Sequence, residues 1–523
     1  MNSKFSSLLV LSLLVSMCTV CFNFRPAKAG TSSQSGLVQA ANTDWWSMFH
    51  HDPAHSGYST SRATYTNQTL WTYMTGGGVY TSPAVAYGTV FVGSYDGNIY
   101  ALNASTGAFM WRYTTDGGPA DPAVSDGVVF VGSGEGYVYA LNASTGSLIW
   151  IFATSGAGGV NVVLTAPTVT GGLVYLGSMN GYLYALNAST GTLVWSYEYG
   201  ETGNWEGSSP AVEGGVVYVG SNDYYVYALN ASTGELVWRS GKFPFGLTMS
   251  SSPAVVGGMV YVNMGSDYNY FYALNASTGA VVWWYVTHGA YSAPLLSSPA
   301  VVNGVVYVGS DDYHVYALNA STGAFLWTFA TGGIVESSPA VAGGIVYVGS
   351  WDGRVYALDA LTGALLWSYK TGGIESSPAV VNGVVYVGSD DDEVYAFSSQ
   401  TYSVSFSESG LPSGTVWSVT FNGMTSRGSH SIVTFSGVKN GSYSYTVGSV
   451  PDYTASSSTG SVTVNGANAS VLVTFTKAAP VGGVSVSVTT LSFLAPWLTI
   501  ITLLATSVLL KGIITKKNRR AGF

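Results

Sequence analysis

Tyr356-Ala357-Leu358-Asp359-Ala360-Leu361-Thr362-Gly363-Ala364-Leu365-Leu366-Trp367 is one copy of a unit that returns along most of this chain. With the stretch before it, the unit reads Ser-Pro-Ala-Val, a short Gly-containing linker, Val-Tyr-Val-Gly-Ser, a polar turn, Val-Tyr-Ala-Leu, an Asn- or Asp-led turn ending in Gly, and then a Trp. The prolines fall at Pro83, Pro122, Pro167, Pro210, Pro253, Pro299, Pro339 and Pro378, and the tyrosines at Tyr100, Tyr139, Tyr184, Tyr227, Tyr272, Tyr316, Tyr356 and Tyr395. Tryptophans recur at Trp71, Trp111, Trp150, Trp195, Trp238, Trp283, Trp327 and Trp367. Successive prolines are 39 to 46 residues apart, the length of a four-stranded propeller blade.

Each unit holds four short strand candidates, A to D from the axis outward: around Pro-Ala-Val, around Tyr-Val-Gly-Ser, around Val-Tyr-Ala-Leu and around the Trp. Asp96-Gly97 and Asp352-Gly353 stand between B and C, where a tight hairpin needs positive φ. The Asn-Ala-Ser-Thr-Gly stretch between C and D supplies side-chain acceptors and a Gly for the reversal. No amphipathic helix fits between strands, which excludes a parallel βαβ barrel of the same period. The first Trp strand, around Trp71, precedes any A strand, and the last unit stops after its C strand at Phe397. Eight A–B–C triplets and eight D strands thus stand offset by one. The chain is expected to let the Trp71 strand complete the last blade, removing two open sheet edges, and to form eight blades.

Ala357-Leu358-Asp359 followed by Ala360 to Trp367 resembles the tryptophan-docking motif of PQQ-type propeller repeats, found in quinoprotein dehydrogenases and in outer-membrane assembly propeller lipoproteins. The resemblance covers roughly residues 70 to 400. It implies that all eight tryptophans named above dock between neighbouring blades, with Asp359 bonding in the turn. Six units carry Asn in place of this Asp: Asn103, Asn142, Asn187, Asn230, Asn275 and Asn319. The resemblance to the dehydrogenases would also imply PQQ, calcium, a catalytic Asp and in many members an adjacent cysteine pair. The residues argue against carrying that over. The only cysteines are Cys18 and Cys21, and the acidic residues are dispersed among equivalent B–C turns, at Asp96, Glu135, Asp223, Asp267, Asp311, Asp312, Asp352 and Asp390 to Glu393. Turn formation accounts for them. Glu135, Glu206, Glu336 and Glu375 are placed to reach a central pocket, yet nothing marks a proton-transfer pair. No cofactor is predicted and no catalytic or metal residue is assigned.

With antiparallel strands, B–C turns and D–A loops share one face, and C–D turns occupy the other. The C–D turns are nearly identical, whereas the D–A loops differ in length and content. Three of them carry Trp205, Phe243, Phe245, His288 and Tyr291, the binding-face candidates for a surface protein or a glycan. On the opposite face Asn103, Asn142, Asn187, Asn230, Asn275 and Asn319 match the N-glycosylation pattern, as do Asn67, Asn440 and Asn468 elsewhere. The turn chemistry already explains the repeated six.

Outside the repeats, Lys4, the apolar run Leu8 to Val20 and Ala27-Lys28-Ala29 read as an export signal over 1–29. Residues 30–65 form an N-terminal segment whose Trp45 to Gly57 stretch holds His50, His51, Asp52 and His55; it is expected to cap the ring rather than bind zinc. The repeat domain covers 66–399. Residues 400–477 alternate in a β pattern with Gly, Asn and Pro turns, about seven strands of an Ig- or fibronectin-like β-sandwich. There Glu408-Ser409-Gly410-Leu411-Pro412-Ser413-Gly414-Thr415-Val416-Trp417 resembles an accessory module of archaeal cell-surface proteins, including thermopsin-like ones. A linker over 478–488 leads to a transmembrane helix over 489–510 that is free of charge, and to a basic tail over 511–523. Of all residues 47 % are hydrophobic and 8 % charged, and the net charge of -9 leaves no basic surface for nucleic acid.

The expected molecule is therefore all-β: an eight-bladed propeller, a small β-sandwich and one C-terminal span. The large domain would be extracellular on a single-pass membrane protein with its C-terminus in the cytoplasm. Its expected role is binding or scaffolding at the cell surface through one propeller face. The rivals are a quinone- or metal-dependent oxidoreductase and an envelope-protein assembly factor.

Overall fold

The structure, a computed structural model, describes residues 44–154, 162–163, 165–200, 207–243, 251–265, 269–287, 296–398, 401–465 and 467–478. The expected signal at 1–29, the first part of the cap, the linker beyond 478, the span at 489–510 and the basic tail lie outside them, as do Glu206 and Asp267. Among the described residues no helix is long and apolar enough to cross a membrane.

The described part of the repeats is all strand and turn, arranged as a propeller. Between Tyr58 and Ser398 the described strands form eight sheets of at least four strands each. In the first, Ala84–Ala86, Thr89–Gly93, Asn98–Asn103 and Phe109–Thr114 follow one another outward as A, B, C and D. Strands B and C are buried along almost their whole length, because sheets cover them on both faces. Strand D alternates, with its Trp as the buried position of the outer edge. Each A strand lies beside the A strand of the next sheet, and Ala379–Val381 lies beside Ala84–Ala86. The first Trp strand, Thr69–Met74, is not part of the first sheet. It pairs antiparallel with Glu393–Ser398, setting Trp71 opposite Ala396, and so joins the two ends of the repeat region by backbone hydrogen bonds.

Tryptophan holds sheet to sheet. Each of the eight indoles is 7 to 9 % exposed. Trp71 Nε1 donates to Ala104 O at 2.9 Å, Trp111 to Ala143 O at 2.9 Å and Trp238 to Ala276 O at 2.8 Å, always in the C–D turn of the following sheet. The ring also lies flat on the turn glycine. A Cβ on Gly107 would stand 2.7 Å from Trp71, and its φ of +70° suits glycine alone. Trp367 faces the last sheet, which has no C–D turn of its own, and donates instead to Thr64 O at 3.1 Å, just ahead of the borrowed strand.

The segment before the borrowed strand solves a separate problem. Eight A strands around an axis present their inner backbone edge to the central channel, and unpaired amides there would be costly. Residues 46–57 wind through that channel and supply acceptors in turn. The amides of Val85, Val124, Val212, Val255, Val301 and Val341 donate to carbonyls of Trp46, Ser47, Pro53, Ala54, Ser56 and Gly57 at 2.6 to 2.8 Å. In the third sheet His55 Nε2 donates to Thr168 Oγ1 at 3.0 Å, and near the eighth Asn382 N donates to Ser61 Oγ at 3.1 Å. Tyr58–Ser59 then adds a short parallel strand to Ala340–Ala342. Such tight winding forces His50, His51 and His55 to φ values of 55°, 79° and 57°. Gly57 has no alternative, since a Cβ there would meet Ala300 Cβ at 2.6 Å.

Past Tyr402 two four-stranded sheets share one core. One runs Ile432–Val438, Tyr402–Ser409, Ala469–Lys477, Tyr453–Ala455; the other runs Met424–Gly428, Trp417–Phe421, Gly441–Val447, Thr459–Val464. Alternate residues turn inward, so Val404, Phe406, Val419, Phe421, Phe435 and Phe475 meet between the sheets. These are eight described strands against about seven expected, the short Tyr453–Ala455 being the least marked in the sequence.

Candidate binding site

In every repeat the residue before the proline is forced into an extended backbone, and it stands at the top of an A strand beside the axis. These residues form a hydrogen-bonded circle. Ser209 N donates to Ser252 Oγ at 2.9 Å, Ser252 N to Ser298 Oγ at 2.8 Å, Ser298 N to Ser338 Oγ at 2.9 Å and Ser338 N to Ser377 Oγ at 3.0 Å. Ser377 N then donates to Ser82 Oγ at 3.1 Å, across the junction of last and first sheets. Two members depart from serine. Ser82 N donates to Asp121 Oδ1 at 2.8 Å, and Ala166 N donates to Ser209 Oγ at 2.9 Å. Ala166 has no side-chain acceptor, so the circle has no such link from Asp121 to Ala166.

Above this circle lies a cavity of about 470 Å³, in the range of small-molecule sites. Phe49 of the winding segment forms its floor, and Tyr80, Tyr95, Asp121, Glu336 and Glu375 are among its walls. Tyr80 and Tyr95 meet edge-on at 4.7 Å between centroids, and Tyr95 is 75 % exposed at the rim. At a matching B–C turn the half-exposed Trp351 donates its Nε1 to Glu336 Oε2 at 2.7 Å. Among the described residues lining the cavity there is no Lys, Arg or His. Burial pushes the Asp121 carboxyl up to about 6, against the hydrogen bonds from Ser82 that favour its charged form. Burial also raises the Tyr80 hydroxyl, helped by the charges of Glu375 and Asp390.

The residues singled out in the sequence fall into distinct places. Glu336 and Glu375 line the cavity, while Glu135 is exposed outside it. Trp205, Phe245, His288 and Tyr291 lie outside the described residues. Phe243, expected as an exposed recognition aromatic, is instead 5 % exposed and packs on Tyr272 at 4.7 Å. Its loop turns back at once, Phe243 N donating to Tyr224 O at 3.1 Å. Several turn acids accept from the strand C tyrosine four residues on, as Asp312 does from Tyr316 at 2.7 Å and Asp391 from Tyr395 at 2.8 Å. Asn142, Asn187 and Asn319 each accept at Oδ1 from two backbone amides and a Thr hydroxyl of their own turn. Asn103 and Asn275 do the same, and Asn230 accepts from its two turn amides. Asn67 Nδ2 donates to Ser368 O and Asn440 Nδ2 to Ser105 O, while Asn468 Oδ1 accepts from Ser403 N. Asp121, Tyr95 and Trp351 escaped sequence reading. A signal for Asp121 was present, since it stands before Pro122 where six repeats carry Ser.

A family model described as "Outer membrane protein assembly factor BamB" matches residues 56–224, 222–334 and 326–415. The chain belongs to this PQQ_2 repeat family. Solved members of the fold superpose on it at low identity. BamB from Moraxella catarrhalis is 20 % identical with a TM-score of 0.53, over 63 % of this chain and 99 % of that one. A europium-containing methanol dehydrogenase is 18 % identical with a TM-score of 0.55, over 68 % and 98 %. Quinohemoprotein alcohol dehydrogenase from Comamonas testosteroni is 17 % identical with a TM-score of 0.56, over 68 % and 80 %. At such identities the likeness shows the PQQ_2 propeller fold alone. No curated protein matches the chain.

The described lining of the axial cavity does not suit a quinone cofactor or calcium. An anionic quinone asks for cationic partners, and calcium asks for six to eight converging oxygens. The described lining sets three carboxylates around the space and no base. Among the described residues no group of three or more His, Cys, Asp or Glu is placed to hold a metal ion, the His50, His51 and His55 cluster included.

Proposed function

We propose that this chain is a cell-surface binding protein: an eight-bladed propeller that engages a protein partner through the face formed by its B–C turns and D–A loops. In this reading residues 1–29 direct export, 489–510 anchor the chain in the membrane, and the C-terminal β-sandwich, like those of archaeal surface proteins, holds the propeller away from it. The observation that carries the proposal is the axial cavity, lined by Phe49 together with Tyr80, Tyr95, Asp121, Glu336 and Glu375. Aromatic rims such as Tyr95 and Trp351 suit protein recognition, being apolar in body and polar at one end. The family description supports the rival assembly-factor role about as much as this reading.

The test compares the two faces. Tyr95→Ala, Trp351→Ala and Trp205→Ala together are expected to weaken cross-linked capture of a membrane protein partner from native envelopes at least tenfold. Lysine in place of Thr145 and Thr190, on the C–D face, is expected to leave capture intact. The reverse pattern, or capture of glycan alone, overturns the proposal.

A further inference from the structure

We infer that the axial cavity receives a positively charged organic group, an ammonium or guanidinium, which pairs with Asp121 while the apolar part of the ligand packs on Phe49, Tyr80 and Tyr95. This deepens the binding reading above and rests on it.

Asp121 occupies the one kind of position in the repeat that is otherwise filled by a neutral hydroxyl or methyl. Serine would serve the circle equally, since it needs only an acceptor for the amide of Ser82. The carboxylate therefore adds a charge that the scaffold does not use. Among the described residues its hydrogen bonds come from Ser82, through the backbone amide and the hydroxyl. On its other side the residue that elsewhere carries the next hydroxyl is Ala166, 2 % exposed, so a methyl stands where a polar neighbour would. The groups that share the cavity wall are acidic or neutral: Glu336, Glu375 and the two tyrosines. Below the floor, His50 and His55 lie behind the Phe49 ring, at 4.6 and 5.5 Å between centroids, and burial holds both neutral. A half-buried carboxylate with no cation near it is poorly solvated, and a ligand cation would relieve that cost and draw on the faces of the aromatic rings. An anionic or neutral ligand would not.

Isothermal titration of the full chain in detergent at pH 8 with 2-phenylethylamine, phenylethylguanidine, 2-phenylethanol and phenylacetate tests this directly. Both cations are expected to bind and the alcohol and the acid at least tenfold more weakly. Asp121→Asn keeps the acceptor for Ser82, and Asp121→Ser installs the residue of the other repeats. Both are expected to fold with a melting temperature at pH 8 no lower than that of the parent, since the buried charge is removed, and to lose cation binding by about tenfold or more. Affinity for the amine should fall by about tenfold per unit as pH drops below 6, because the proton competes for the same oxygen. Equal binding of amine and alcohol, full binding by Asp121→Asn, or calcium binding in place of the amine overturns the inference. Partner capture is measured separately. If capture persists while no amine binds, the inference falls alone; if amines bind but the face variants still capture partner, the broader reading falls.

Discussion

His50, His51 and His55 stand within six residues of one another, yet the fold gives each a different electrostatic setting. Burial and the charge of His55 push His50 down to about 3, and burial pushes His55 down to about 4, although Asp52 opposes the shift. For His51 burial acts downward too, but Asp44 at 2.8 Å and Asp52 outweigh it and raise the imidazole to about 9. Their effects on stability therefore carry opposite signs. Below pH 6.5 the unfolded chain takes up protons that folded His50 and His55 refuse, so stability is lost as pH falls from 6.5 toward 4. The His51 contribution is complete below pH 6.5 and is lost as pH rises through 9. Calorimetric melting between pH 6.5 and 4.5 should show a steep fall for the wild type and a shallower one for His55→Gln. Parallel curves would contradict this account. The zinc-like appearance of the cluster in the sequence came from residue types, whereas the structure sends the rings to Asp44, to Thr168 and against Phe49.

At the scale of one strand, the Ser-Pro pair starting each A strand does more than begin it. The proline sets the backbone, and the serine ties the sheet to its neighbour through the circle around the axis. Ala166 interrupts that circle, leaving Asp121 N without a side-chain acceptor in the third sheet. Ala166→Ser should supply it and raise the unfolding free energy by about 0.5–1.5 kcal/mol, read from urea denaturation at pH 8. A loss of stability instead would mean that the cavity floor cannot accommodate the hydroxyl. Much of the element-level pattern was legible beforehand. The positive φ after Asp96 and the Asn-led turns follow from contacts within a few residues, whereas Trp docking, which reaches 33 residues along the chain from Trp71 to Ala104, was legible only because the unit repeats. Phe243 was misread because its loop position suggested exposure, while the return of the loop to Tyr224 that buries it is a matter of packing.

For the whole molecule, the decisive join is between Thr69–Met74 and Glu393–Ser398, more than three hundred residues apart in the chain. Deleting residues 69–74 removes the outer strand of the last sheet and strips Trp71 from Ala104 and Gly107. The truncated protein should melt well below the parent and bind a hydrophobic dye, and unchanged melting would refute ring closure by this strand. That pairing was readable from sequence by counting strands, because the repeat is strict and an unmatched D strand at one end answers a missing one at the other. The all-β class and the propeller followed from the same periodicity, since alternation and turn chemistry act locally and repeat whatever their surroundings. The path of residues 46–57 through the channel, the circle of serines and the isolation of Asp121 were decided only in three dimensions. Each depends on eight strands converging on an axis, where residues about forty positions apart become neighbours and a single departure from the repeat changes what the centre of the molecule can hold.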